Sequence, residues 1–306
     1  MSRIRLTQLE ILLAVVAEGS FSAAAATLGC TQSRVSCAIA DLEGVVGKRL
    51  LTRSRRGTVP TAAGDEAVAT ARQILQLVGE LEGGERTGEN LQGTIRLACF
   101  RAAGTHLVPT IVSALRERIP GIALEMNDGC LDYSDVVAEV LSGRADLGIT
   151  RSPVEAPGLE WAAMARDRYV VLAPRRAGLS GLPDWSALKR LQFLQRSVAG
   201  SRRIVERCAD QGIALPSPTL LAHDSTIMAL IARGLAFSIY PELTAYPLPD
   251  SIRALPLPFD APRNLVVIAR RQGRARPSVA AVKQLMTSLE VLRDIPVVRC
   301  GVVTIG

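Results

Sequence analysis

The stretch Thr31-Gln32-Ser33-Arg34-Val35-Ser36 sets five polar side chains around one apolar residue. A glutamine amide can hold adenine through two hydrogen bonds, and an arginine can hold guanine in the same way. Serine and threonine hydroxyls, and the free N–H groups at a helix start, suit phosphate oxygens. These are the groups of a surface that reads bases, provided they stand at the exposed end of a helix. Other chemistry is poorly supplied. His106 and His223 form no H-x-x-x-H spacing, the chain has no G-x-S-x-G elbow, and "GTHLVP" is not a phosphate loop. Neither a catalytic group nor a metal site is expected. The six cysteines, Cys30, Cys37, Cys99, Cys130, Cys208 and Cys300, show no C-x-x-C pair and no metal-ligand spacing. They read as small apolar residues of a reducing compartment. A redox role would require a lowered thiol pKa, which sequence does not display.

The elements that must position the cluster come next. In "LTQLEILLAVVAEGSFS", Leu9, Leu12, Leu13 and Val16 recur at helical spacing. Ser20 or Ser22 can cap a second helix, "FSAAAATLG", whose alanines favour helix and admit a close neighbour. Gly29 closes it where a left-handed residue costs least. Thr31 can cap a third helix with Val35, Ile39 and Leu42 inward, Ala38 beside them, and Gln32, Ser33, Arg34 and Cys37 outward. Short helices with a tight turn between the second and third make a helix-turn-helix pattern, whose last helix enters the major groove. Taken alone, that helix fits an ordinary hairpin with a solvated face equally well. The next segment, "LLTRSRRGTVPT", shifts the balance. It reads as strand Leu50–Leu51, basic turn Arg53 to Gly57, and strand Thr58–Val59: a wing. Between Arg49 and Arg56 there are four arginines and no acid.

Residues 6–64 resemble the DNA-binding domain of LysR-type transcriptional regulators. The resemblance rests on "GSFSAAAATLGCTQSRVS", then Ile39, Leu42-Glu43, Gly47, Leu50, Arg53 and "PTAAG" at 60–64, in order and without a gap. It implies that Thr31, Gln32, Ser33, Arg34 and Ser36 lie at or near double-stranded promoter DNA, with Arg53, Arg55 and Arg56 on the wing. Two positions depart. Cys37 stands where the family usually has arginine, which removes a phosphate contact. Leu51 stands where it usually has phenylalanine.

"TAAGDEAVATARQILQLVGELEGG" reads as a long helix in which Val68, Ala71, Leu75 and Val78 form a seam. That seam could pack within its own subunit. The resemblance implies instead an antiparallel pairing of two linker helices, hence a dimer or tetramer. It also implies RNA polymerase as a partner. "GGERTGEN" reads as a hinge. Beyond residue 93, strand and helix candidates alternate, as in a largely parallel sheet covered by helices. "LVPTIVSALRERIPGIALEM", "LSGRADLGI" and "IARGLAFSIYPE" resemble the effector domain of the same family, which is similar to periplasmic solute-binding proteins. The expected fold is α/β overall. It has an N-terminal all-α winged helix-turn-helix (1–64), a long linker helix and hinge (65–92), and a C-terminal two-lobed α/β domain for effector binding and oligomerisation (93–306).

Ligands of open α/β sheets sit beyond the carboxyl ends of the strands. That rule selects Phe100, Arg101, Ala102 and Thr105 after the first strand. It also selects Thr150, then Ser197 and Ser201, then Ser225 and Thr226 at a helix start. Each hydroxyl could also be a plain helix cap. Family members often carry a hydroxyl in the first loop, where this chain has Phe100, Arg101 and Ala102. The expected occupant is a small-molecule effector of unspecified identity, with no cofactor.

The 306 residues allow two or three domains and a sizeable core, and the net charge of +7 fits an anionic partner or simply a basic surface. No run of 18 apolar residues occurs, so no membrane span is expected. The basic start lacks a cleavable apolar core, which makes a cytoplasmic location the expectation. A solute-binding transport protein would share the C-terminal pattern, but neither the start nor the helix-turn-helix fits it. The apolar tail "VLRDIPVVRCGVVTIG" would add a strand or pack on a neighbour.

Overall fold

The computed structural model describes residues 4–54, 57–83, 91–178, 180–271 and 276–305. For residues 53, 73, 76, 77, 79–83 and 199 it describes the backbone alone. Three helices, α1 (Leu6–Glu18), α2 (Phe21–Thr27) and α3 (Gln32–Val46), open the chain. They bury Leu12, Val15, Val35, Ile39 and Leu42 in one core. The stripe on α1 is Leu9, Ile11, Leu12 and Val15. Leu13 and Val16, expected in it, are half-buried on its margin. Ala24 and Ala25 are buried on α2, small enough to let its neighbours close in. The Ser20 hydroxyl accepts from the Ala23 N–H (3.5 Å), and the Thr31 hydroxyl from that of Arg34 (3.3 Å). Both fill orphan positions at helix starts.

Strands β1 (Leu51–Ser54) and β2 (Gly57–Pro60) pair antiparallel. The wing is therefore longer, and its turn shorter, than the sequence suggested: Arg53 lies within β1 opposite Thr58. Gly57 brings the wing against the end of α1. Its φ is 110°, and a Cβ there would stand 2.6 Å from the Gly19 carbonyl oxygen, which accepts from the Thr58 N–H at 2.7 Å. Helix α4 (Ala62–Gly83) follows. The Thr61 hydroxyl starts it, accepting from the Gly64 N–H (3.0 Å) and donating to the Arg49 carbonyl (2.7 Å). A Cβ on Gly64 would meet the Leu50 oxygen at 1.9 Å, so the "PTAAG" turn needs glycine for close approach.

Val68 and Ala71 are buried in the same core as α1 and α3, and Leu75 packs against that core. The first half of the expected seam packs within the chain, where α4 lies along α1, while Leu75 and Val78 stay half-buried. The expected hinge falls on Gly83 and on residues 84–90. Gly83 ends α4, and 84–90 lie outside the described residues.

The remainder forms two α/β lobes. In lobe I, β3 (Gly93–Phe100) leads to α5 (Arg101–His106), α6 (Val108–Arg118), β4 (Ile122–Cys130), α7 (Tyr133–Leu141) and β5 (Leu147–Arg151). The helical run after β3 is broken at Leu107. Pro109 has no N–H to give the Thr105 carbonyl, so one helix stops and another starts. Strand β6 (Leu159–Pro174) runs from lobe I into lobe II. There α8 (Trp185–Leu188), β7 (Gln192–Arg196), α9 (Ala199–Asp210), β8 (Thr219–Leu221), α10 (Asp224–Ala232), β9 (Ala236–Pro241), α11 (Glu242–Ala245) and β10 (Ile252–Pro256) follow. Strand β11 (Pro262–Arg270) returns to lobe I, trailed by α12 (Pro277–Met286), α13 (Leu289–Arg293), α14 (Pro296–Arg299) and β12 (Thr304–Ile305).

The sheet order is β4-β3-β5-β11-β6-β9-β7-β8, with β10 and β12 also on β6. Each lobe keeps a parallel centre: β3 beside β4 and β5, and β7 beside β8 and β9. The sheet is mixed and not largely parallel, since β6 and β11, which link the lobes, run antiparallel to their neighbours. The apolar tail adds a strand. Thr304 and Ile305 pair with Arg166 and Ala165, and Val291, Leu292, Ile295, Val297 and Val303 enter the lobe I core. No single helix among the described residues is long and apolar enough to cross a membrane.

Candidate nucleic-acid interface and effector cleft

At the start of α3, Thr31, Gln32, Ser33, Arg34, Ser36 and Cys37 are all exposed, while Val35 and Ile39 anchor the opposite face. The amphipathic period turns every polar group of the cluster outward. Glu43 ties this helix to the wing: its Oε1 accepts from the N–H groups of Leu50 (2.7 Å) and Leu51 (3.2 Å). Sequence reasoning gave the Leu42-Glu43 pair no such role. Arg53 is placed by its backbone on β1, and Arg55 and Arg56 lie outside the described residues.

In the C-terminal half, the strand ends of both lobes face one cleft. Where β6 and β11 cross between the lobes, Arg263 sits opposite Asp167 in register, with Nη2 and Oδ2 3.0 Å apart. Both side chains are buried. Burial raises the Asp167 carboxyl, with Arg263 and the Leu243 and Arg168 N–H groups pulling the other way. The Arg263 guanidinium lies 5.3 Å from the Phe100 ring centre and 5.8 Å from that of Tyr133, and Arg151 lies 4.8 Å from the Tyr133 centre. Burial pushes the Tyr133 hydroxyl up to about 12. The Tyr169 hydroxyl, just past the crossing, donates to the Gly200 carbonyl of lobe II at 3.3 Å. Phe100, Tyr133, Tyr169 and Arg263 line a small void of about 40 Å³.

Beside it opens a larger cavity of about 240 Å³, whose walls include Phe100, Arg101, Cys130, Arg196, Asp224 and Thr244. Arg196 of lobe II binds Asp224 at 3.1 Å, and Arg101 of lobe I approaches the other Asp224 oxygen at 4.0 Å. The Tyr240 hydroxyl also donates to Asp224. Two arginines from opposite lobes thus converge on one carboxylate. The cysteines nearby are poor nucleophiles: burial pushes Cys130 up to about 11 and Cys99 up to about 12.

Of the residues selected from sequence, Phe100, Arg101, Ala102 and Ser201 line these cavities. Thr150 is buried and its hydroxyl donates to the Tyr133 carbonyl at 3.4 Å. Thr105 is exposed and turned back onto the Arg101 carbonyl at 3.0 Å. Ser197, Ser225 and Thr226 are exposed and are not among the cavity walls. Sequence reasoning missed Tyr133, Asp167, Tyr169, Arg196, Asp224 and Arg263. One signal was available: arginine and aspartate inside the otherwise apolar strand patterns "PRNLVVIAR" and "ARDRYVVLAP".

A winged helix-turn-helix carried on a long helix, ahead of two α/β lobes with a polar cleft, is the layout of a ligand-responsive DNA-binding regulator. The comparisons agree. The family model "Bacterial regulatory helix-turn-helix protein, lysR family" matches residues 6–65, and "LysR substrate binding domain" matches residues 88–289. The chain belongs to the LysR family of transcriptional regulators. It is 34% identical over 294 residues to the "Probable HTH-type transcriptional regulator LrrA" of Synechococcus elongatus, covering 94% of this chain and 96% of the relative. It is 29% identical over 304 residues to a "Probable hydrogen peroxide-inducible genes activator" of Streptomyces viridosporus, covering 95% and 96%. A full-length OxyR variant from Pseudomonas aeruginosa shares the fold, with a TM-score of 0.72, 20% identity and 98% of each chain covered. The protein is a transcriptional regulator with a DNA-binding helix-turn-helix and an effector-binding domain.

Proposed function

We propose that Thr31, Gln32, Ser33, Arg34 and Ser36 form the DNA-reading end of α3, with Arg53, Arg55 and Arg56 on the wing. We also propose that the effector is a small carboxylate held between the lobes. Convergence of Arg101 and Arg196 on Asp224 carries the second part. A ligand carboxylate taking the place of Asp224 between those arginines resets the closure of one lobe on the other. Phe100, Ala102 and Ser201 shape the cavity. The structure supplies no cavity contact for Thr105, Ser197, Ser225 or Thr226, and they are left out of this site. Residues 1–64 act as the reading head, 65–92 as linker, and 93–306 as sensor. The protein acts intracellularly on promoter DNA as a homo-oligomer and communicates with RNA polymerase.

Thermal shift against a panel of small mono- and dicarboxylates tests the cleft. At 100 times its Kd, a ligand specific for the folded protein adds about 2.7 kcal/mol of stability. At least one carboxylate is expected to raise Tm in the wild type and to lose that effect in Arg196→Met. The cleft site is contradicted if every carboxylate that raises Tm in the wild type raises it equally in Arg196→Met. A peroxide-sensing role, by analogy with the Streptomyces relative, is disfavoured by Cys99 and Cys130, whose buried thiols hold their protons.

A further inference from the structure

A third cavity lies on lobe I, away from the cleft, between α12, the end of β11 and the start of β6. It encloses about 270 Å³. Arg270, Arg276 and Lys283 line it, faced by Asp146 and Glu160. Both acids are already engaged. Asp146 takes Arg96 at 2.9 Å and Arg276 at 3.4 Å, and Glu160 pairs with Lys283. Arg270 has no acid within ion-pair distance among the described residues, although Asp146 lies near enough to favour its charged form. Its Nη1 donates to the Val140 carbonyl at 2.8 Å, but its Nε is buried without a hydrogen-bond partner among the described residues. A buried donor on a charged group is costly until something accepts from it. Val279 and Ala280 give the same cavity an apolar side.

The reading head passes close to this lobe just behind Arg270. The Arg270 guanidinium lies beneath the turn after α7: a Cβ on Gly143 would stand 3.0 Å from Nη1 and 3.9 Å from the Ala69 carbonyl oxygen of α4. One helical turn along α4, Arg72 is half-buried, and its Nη1 also lacks a partner among the described residues. Burial, then Arg144, then Arg96 lower its pKa, with Glu139 opposing. The head therefore meets lobe I across a contact with surplus positive charge.

We propose that this cavity binds a small monocarboxylate with a short apolar tail, and that its occupancy strengthens the contact between α4 and lobe I. The carboxylate pairs with Arg270 and Lys283, and the tail lies on Val279 and Ala280. Pairing with the carboxylate holds Arg270 beneath the turn on which α4 rests. Inorganic phosphate fits less well, because the apolar side would leave some of its oxygens unpaired. This site is separate from the inter-lobe cleft and does not depend on the reading given to it.

Isothermal titration of the full chain with isovalerate, and separately with inorganic phosphate at matched ionic strength, tests the site. Saturable binding of one isovalerate per chain is expected. It should weaken at least tenfold in Lys283→Met and in Ala280→Phe, which blocks the cavity from an exposed helix position, and should persist in the cleft variant Arg196→Met. Hydrogen exchange of residues 66–75 should slow when isovalerate is bound. No saturable isovalerate binding, preference for phosphate, or binding lost only in Arg196→Met would overturn the proposal. Unchanged exchange in α4 at saturation would overturn the coupling.

Discussion

Gln32 stands fully outward on α3, with no intrachain bond recorded for its amide among the described residues. Replacing it by alanine should cost about 1–3 kcal/mol on the specific site and relax the choice of base there. Gel-shift titrations on a site with each base varied would check this, and an equal loss on random DNA would refute base reading. Arg55→Ala with Arg56→Ala should instead weaken specific and random DNA alike and flatten the salt dependence. The cysteines divide by burial. Cys37 and Cys300 are exposed, while Cys99, Cys130 and Cys208 are buried with raised thiol pKa values. Mass spectrometry after brief iodoacetamide treatment of the native protein at pH 7 should find the first two modified and the last three intact. Oxidation of Cys130 by stoichiometric peroxide would revive the peroxide-sensing reading. The reading cluster was legible in the sequence because an amphipathic helix fixes which side chains face out. The cleft was less so. Arg263 meets Asp167, and Arg196 meets Asp224, through the register of strands that pair only after the lobes assemble.

Elements are held by a few directional contacts. Glu43 accepts two N–H groups at the start of the wing. Glu43→Ala leaves those donors to compete for water and should cost the head about 1–3 kcal/mol. The loss should appear as faster hydrogen exchange at Leu50 and Leu51, with α6 unaffected. His106 ends α5 against the Tyr246 ring, 5.6 Å between centres, and burial lowers its pKa below the usual 6.5. Below pH 6.5 the unfolded chain takes up a proton that the folded chain still refuses, so stability falls as pH falls through that window. The slope from this group cannot exceed about 1.4 kcal/mol per pH unit, and His106→Asn should remove it from a pH series of melting curves. The helices and most strands could be placed from periodicity and caps. The break at Leu107 could have been anticipated from Pro109. The antiparallel strands joining the lobes could not, because local pattern does not encode strand direction.

At the scale of the molecule, two strands, β6 and β11, carry the chain between lobes, and the buried Arg263–Asp167 pair sits at their crossing. That pair lies next to the cavity where Arg101 and Arg196 converge. Helix α4 is part of the head's core, through Val68 and Ala71, and its Ala69 carbonyl passes close to Gly143 of lobe I. The family and layout were legible from the head's motif, while the path between sensor and head was not, since it depends on how α4 lies across lobe I. Sequence-specific DNA binding is decided by equilibrium binding to the DNA just upstream of the chain's own gene, beside scrambled DNA of equal length, across a salt series. Binding to the native fragment should be tighter by about a thousandfold or more, the low end for specific regulators. Equal and steeply salt-dependent affinity for both fragments would contradict it for that site and leave only a basic surface meeting phosphates.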